Sequence, residues 1–157
     1  MPLTSYLDII PLERAKMYLR IDDPTEAHPD DSEIESMIKG AFRFIERYIN
    51  HIMYARDFTG HTGRIYNYPL NSITGVNEAD LSHYYQRNMD KCGISGSYPD
   101  TVDYNAGYLE LEDVPDDLIQ AALQMLKVWY FESEKQVNST LIPISVMQSL
   151  DQNRRFV

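Results

Sequence analysis

The chain has 157 residues, 43% of them hydrophobic, which suits one domain with a real core and excludes a wholly disordered chain. Its 14 basic and 24 acidic residues give a formal net charge of −10; gripping phosphates needs clustered Lys and Arg, so with this balance sequence-specific DNA binding is not expected. Cys92 is the only cysteine, no apolar run is long enough to cross a bilayer, and Met1-Pro2-Leu3-Thr4-Ser5 has no signal-like pattern, so an internal disulfide, a membrane span and secretion are all unexpected.

In chain order, Leu12, Ala15 and Leu19 recur at helical spacing and predict a helix near 11–21, with Pro11 in its first turn and Glu13, Arg14 and Lys16 on other faces. A second helix is expected over 31–52. Ser32 and Glu35 have capping-box spacing there. Ile34, Ile38, Ala41, Ile45, Tyr48, Ile49 and Ile52 form its apolar stripe, with Lys39, Arg43, Glu46 and Arg47 off it.

Residues 57–114 are rich in Gly, Pro, Asn and Asp. Strand-like runs at Ile65–Tyr68, Ile73–Val76, Leu81–Gln86 and Val102–Tyr104 are separated by turn signals at Pro69-Leu70-Asn71 and Asn105-Ala106-Gly107. They predict a small antiparallel sheet, and residues 87–100 read as an exposed loop. A third long helix is expected over 115–133, opened by Pro115 and favoured by the charges of Asp116 and Asp117. Leu118, Ala122, Met125 and Trp129 form one of its apolar rows, with Ile119, Leu123, Leu126 and Tyr130 beside it. Pro143 can open a last helix carrying Ile144, Met147 and Leu150. The fold class expected is mainly α with a small antiparallel β element (α+β), a bundle of three to four helices: one domain over residues 1–140 with helices near 11–21, 31–52 and 115–133 and a β-rich insertion over 57–114, then a C-terminal helix and tail over 141–157. Ile34, Ile38, Ala41, Ile45, Leu118, Ala122, Met125 and Trp129 are the expected core.

The acid-rich loop Asp22, Asp23, His28, Asp30 and Asp31 is the strongest candidate for metal chemistry, since hard cations favour clustered carboxylates. Its spacing is not that of an EF-hand, so it is read as a solvated loop whose acids favour the next helix N-terminus, and no metal is expected. No nucleophile elbow, phosphate loop or dinucleotide fingerprint occurs, and no catalytic activity or cofactor is expected. Twelve tyrosines are an excess that suits interfaces. Tyr48, Tyr104, Tyr108 and Tyr130 read as core or sheet residues, whereas Tyr84, Tyr85 and Tyr98 read as interface candidates. The chain ends Arg154-Arg155-Phe156-Val157, charge and apolar anchor together.

Pro11 to Asp23, then Ile34 to Tyr48 ending Phe44-Ile45-Glu46-Arg47-Tyr48, resembles the opening of the phage head-to-tail connector (adaptor) family. Asp103-Tyr104-Asn105-Ala106-Gly107-Tyr108, followed by Val114 to Leu123 and Trp129-Tyr130, is similar to that family's second signature. Ile142 to Leu150 with Arg154 is similar to its C-terminal helix and basic end. Residues 77–101 match nothing in the pattern, and Ile10-Pro11 stands where the family often has Thr or Ser.

The resemblance implies a structural virion protein, assembled in the host bacterial cytoplasm as a ring of about twelve subunits, by the logic of closed heterologous interfaces. The ring would lie beneath the portal, meet a tail or stopper protein on its other side, and let viral DNA pass without specific binding. Portal contacts are expected from Met147, Leu150, Arg154, Arg155, Phe156 and Val157, and tail-side or intersubunit contacts from Tyr84, Tyr85 and Tyr98. A non-viral acidic adaptor, and more remotely a metal-dependent hydrolase at the acidic loop, are the competing readings.

Overall fold

In the computed structural model, which describes residues 2–61, 65–74, 102–133 and 142–154, the chain opens on a short helix that hydrophobic periodicity does not announce. This helix, α1, spans Tyr6–Ile9. Its N-terminus is held by Asp8, whose Oδ2 accepts from the Thr4 and Ser5 amides and the Thr4 hydroxyl, each at 2.8 Å. These contacts satisfy donors that a helix start otherwise leaves unpaired. Helix α2 covers Leu12–Leu19, shorter than the expected 11–21. Pro11 caps it from outside, and Arg20 ends it in the left-handed region at φ 61°.

Helix α3 runs Asp31–Ile49. Asp30 is the N-cap residue, so the predicted capping box falls two residues too deep: Ser32 lies inside the helix and Glu35 pairs instead with Lys39 at 3.3 Å. Asn50 takes a left-handed conformation and stops the helix. Ile52, the last residue of the predicted stripe, therefore leaves the bundle and joins the sheet core.

The three strands are β1 (Arg56–His61), β2 (Leu70–Thr74) and β3 (Val102–Ala106), antiparallel in the order β1-β3-β2. Residues 65–68 form no strand; Tyr68 makes a single bridge to His51. The predicted turns at 69–71 and 105–107 are displaced, because Leu70, Asn105 and Ala106 are paired strand residues and Asn71 falls at the irregularity between Leu70 and Ser72. Strand β1 went unread because Arg56-Asp57-Phe58-Thr59-Gly60-His61 has one large apolar residue and no alternation. Its partner makes it a strand: Phe58 lies opposite Tyr104, their rings stacked at 4.9 Å. The predicted run Leu81–Gln86 and the loop 87–100 lie outside the described residues.

Helix α4 spans Asp116–Ser133 and α5 spans Ile144–Asn153. The protein is thus mainly α with a small three-stranded antiparallel sheet, an α+β fold. Most of its core lies between the helices. Ile34, Ile38, Ala41, Ile45, Leu118, Ala122 and Met125 are buried there with Phe42, Leu126 and Val146. Trp129 departs from the expected core: it is only partly buried, its ring lying against Gly40 of α3. The inward row of α5 is Val146 and Leu150, while Ile144 is 77% exposed and Met147 half-buried.

A second, smaller cluster of Ile52, Ile65, Ile73, Tyr104 and Ala106 lies under the sheet. The two clusters are joined through His51, whose Nδ1 lies 2.8 Å from the Tyr108 hydroxyl, and through main-chain bonds from Ile52 to Tyr68 (2.7 Å) and Tyr108 to Ile52 (3.2 Å).

Candidate interaction site: an arginine groove and the C-terminal anchor

Helical periodicity places Glu46 and Lys16 on polar faces, but both side chains are buried, and each has a reason to be. Lys16 reaches the acidic loop from below. Its Nζ lies 2.8 Å from Asp31 Oδ1 and donates to the Glu26 carbonyl at 2.6 Å. The protein's own ammonium thus partners Asp31, the carboxylate that ends the loop proposed for a metal. Asp23 instead accepts from the Thr25 hydroxyl at 2.7 Å, and His28 Nδ1 stands 3.6 Å from Asp30. Among the described residues no group of three His, Cys, Asp or Glu side chains is arranged to hold a metal ion.

The hydrogen bond from Lys16, with that from the His28 amide, holds the Asp31 carboxyl below its ordinary pKa of 3.8. The bonds from Thr4 do the same for Asp8. A carboxyl lowered in the folded state stabilises it fully above the unfolded pKa and loses that contribution as pH falls through the folded one. Acid unfolding followed by circular dichroism is therefore expected to steepen below pH 3.8. Asp31→Asn should flatten that limb while lowering stability at neutral pH. An unchanged acid limb in the variant would remove this pair from the acid response.

Glu46 is the centre of the second polar cluster. Its Oε1 accepts from the Met53 amide at 2.9 Å. Its Oε2 accepts from the Tyr6 hydroxyl at 2.9 Å and from Arg56 at 2.7 Å. One carboxylate therefore ties α1, α3 and the start of β1 together. Burial by itself would pull the Arg56 guanidinium down; the Glu46 charge and the hydrogen bonds to Tyr6 and Glu46 outweigh it and hold Arg56 above its ordinary pKa. Burial, then the Glu46 charge, pushes the Tyr6 phenol up. The guanidinium also lies over the rings of Tyr54 (5.1 Å) and Phe58 (5.7 Å), so its position is fixed from three sides.

Above this cluster opens a groove of about 470 Å³ lined by Arg43, Arg47 and Arg56 with Asn50, Asn67 and Phe58. Arg43 and Arg47, one helical turn apart on α3, are exposed. The groove was not foreseen as a site. Its only sequence signal is the i, i+4 arginine pair, which reads as an ordinary solvated face until β1 brings Arg56 beside it.

Of the predicted tail contacts, Met147 is half-buried on α5. Leu150 is wholly buried in the bundle and offers no surface. Arg154 caps α5, and its guanidinium lies over the Tyr48 ring at 4.8 Å, while the Tyr48 hydroxyl donates to Asp151 at 2.6 Å. The end of α5 is thus fastened to the end of α3. Arg155, Phe156 and Val157 lie outside the described residues, as do Tyr84, Tyr85 and Tyr98.

The groove thus combines charged and amide groups with the aromatic rings of Tyr6 and Phe58 on an α+β scaffold. No known protein family and no curated protein matches the sequence. Known structures do share its fold. One is a chain from the virion of a native gene transfer agent particle, at TM-score 0.60 and 15% identity, covering 100% of this chain and 95% of that one. Another comes from the neck of an empty gene transfer agent particle computed with C6 symmetry, at TM-score 0.62, with the same identity and coverage. At that identity the likeness is one of fold.

Proposed function

We propose that this protein is a structural subunit of a phage-like particle, a head-to-tail connector that forms a ring beneath the portal and joins the capsid to the tail. The observation that carries the proposal is the fold shared over the whole chain with a component of a gene transfer agent neck. It is supported by the resemblance to the connector family at Leu12–Tyr48 and Asp103–Tyr130. A particle with C6 symmetry accommodates multiples of six, and about twelve copies is one of them. The net charge of −10 suits a DNA conduit, because carboxylates repel phosphate and leave the duplex free to slide. On this reading the protein acts in the virion, and its partners are its own copies, the portal and a tail or stopper protein. It performs no catalysis and needs no cofactor.

Electron microscopy of the protein mixed with its candidate portal tests this directly. Rings stacked on the portal are expected. Monomers or irregular complexes, with no closed ring, would favour an acidic adaptor unrelated to virions.

A narrower expectation concerns the tail. Because Asp151 and Arg154 hold α5 to Tyr48, a truncation should spare them. Deleting residues 155–157 is expected to leave thermal unfolding unchanged and to abolish portal capture in a pull-down. Capture at wild-type level would take the Arg-Phe-Val end out of the portal contact.

A further inference from the structure

Twelve copies at −10 each would carry about −120, a charge that opposes ring closure. A closed ring is also built from heterologous contacts, so each copy must present two different surfaces that complement one another. Two such surfaces exist on this chain.

The first is the arginine groove. Arg43 and Arg47 make no ion pair or hydrogen bond among the described residues, and Arg56, at the start of β1, is anchored by Glu46. Phe58 and Ile52 supply its apolar lining, and Asn50 and Asn67 its amides. The second is the turn Leu109-Glu110-Leu111-Glu112-Asp113. Leu109 is 51% and Leu111 41% exposed, and the three acids between and after them are exposed as well. A single exposed leucine needs no explanation, but two that alternate with carboxylates on one short turn form a mixed apolar and acidic knob. The knob is pre-shaped. The Leu3 amide donates to the Leu109 carbonyl at 2.9 Å, Pro2 bridges Glu110, and Asp113 accepts from the Glu110 amide at 3.3 Å. A segment already held in shape loses little entropy on docking.

Groove and knob share no residue and lie on different flanks of α1. Tyr6 lines the groove, whereas Leu7 and Asp8 face the cleft beside Leu111. Arg43 and Arg47 are the two cations of the groove without a partner among the described residues, since Arg56 is already paired with Glu46, and they complement the acids of the turn as Phe58 complements its leucines. We infer that the Leu109–Asp113 turn of one subunit docks into the arginine groove of the next copy, so that local attraction offsets the global repulsion of the acidic ring. This rests on the ring reading above.

A charge exchange tests it, with ring formation on the portal scored by microscopy and sedimentation. One variant is Arg43→Glu/Arg47→Glu, at exposed positions; the other is Glu110→Arg/Glu112→Arg. Circular dichroism checks that each is folded. Should the second not fold because Glu110 helps shape the turn, Glu112→Arg alone replaces it. Each variant by itself should assemble about tenfold more weakly or worse, since like charges then face one another at every contact. An equal mixture should recover rings, because the acidic groove of one variant fits the basic turn of the other and the remaining contacts stay native in sign. Variants that form rings as the wild type does would overturn the pairing and leave the ring reading intact. So would loss in both variants with no recovery in the mixture, or intact rings that only fail to hold the portal. A wild-type protein that forms no ring even on the portal would overturn both.

Discussion

Gly107→Ala is expected to destabilise the fold by about 2–6 kcal/mol, the sum of strain at a forbidden backbone angle and overpacking against a neighbour that cannot move. Gly107 has φ 125°, which L side chains rarely adopt, and a Cβ there would lie 2.3 Å from the Tyr54 carbonyl oxygen. The crowding is backbone on backbone. The Gly107 amide donates to the Pro69 carbonyl at 2.8 Å, and its own carbonyl accepts from Asn71 at 2.8 Å, so neither side can give way without breaking the sheet's attachment to the bundle. Gly60 is the control. It too has positive φ, 65°, but nothing lies within 4 Å of its missing Cβ. Gly60→Ala should cost only about 1–2 kcal/mol, the backbone penalty alone. Denaturant unfolding of the two variants separates the effects, and similar losses at both sites would mean that the Tyr54 contact is relieved by a shift of the chain.

Glu46→Ala is expected to cost about 3–5 kcal/mol, the usual loss when one partner of a buried ion pair is removed. It deletes the acceptor for the Met53 amide, the Tyr6 hydroxyl and Arg56 together. Glu46→Gln keeps the shape and an acceptor oxygen and should cost about 1–2 kcal/mol. The pair of variants also bears on assembly. Without Glu46 the Arg56 guanidinium is no longer held over Tyr54 and Phe58, and the groove loses its fixed cation. The alanine variant should therefore assemble poorly under conditions where it is still folded. Equal stability of Glu46→Ala and wild type in urea would show that water replaces the carboxylate without loss.

The groove became visible only when distant segments met. Arg43 and Arg47 were legible as an exposed pair, but Arg56 sits in a strand whose sequence carries no strand signal, and Asn67 in a segment read as a strand that is not one. A side chain's neighbours across a sheet are set by partner strands and not by its own alternation. The tail was half legible. Basic residues after a helix suggest docking, but the sequence did not show that Arg154 is already held over Tyr48, 106 positions earlier in the chain.

By itself the sequence determined the helical segments and their apolar faces, because 3.6-residue periodicity is a local property written into Ile34, Ile38, Ala41 and Ile45 and again into Leu118, Ala122 and Met125. It determined the acidic balance and the order of motifs behind the connector resemblance. Tertiary structure decided what lies inside that periodicity cannot place. Lys16 and Glu46 are buried because Asp31 and Arg56 come to meet them, and a charge enters a core only where a partner from elsewhere in the chain neutralises it. It also decided where α3 stops, through the left-handed Asn50, and so sent Ile52 to the sheet and opened the groove beside it.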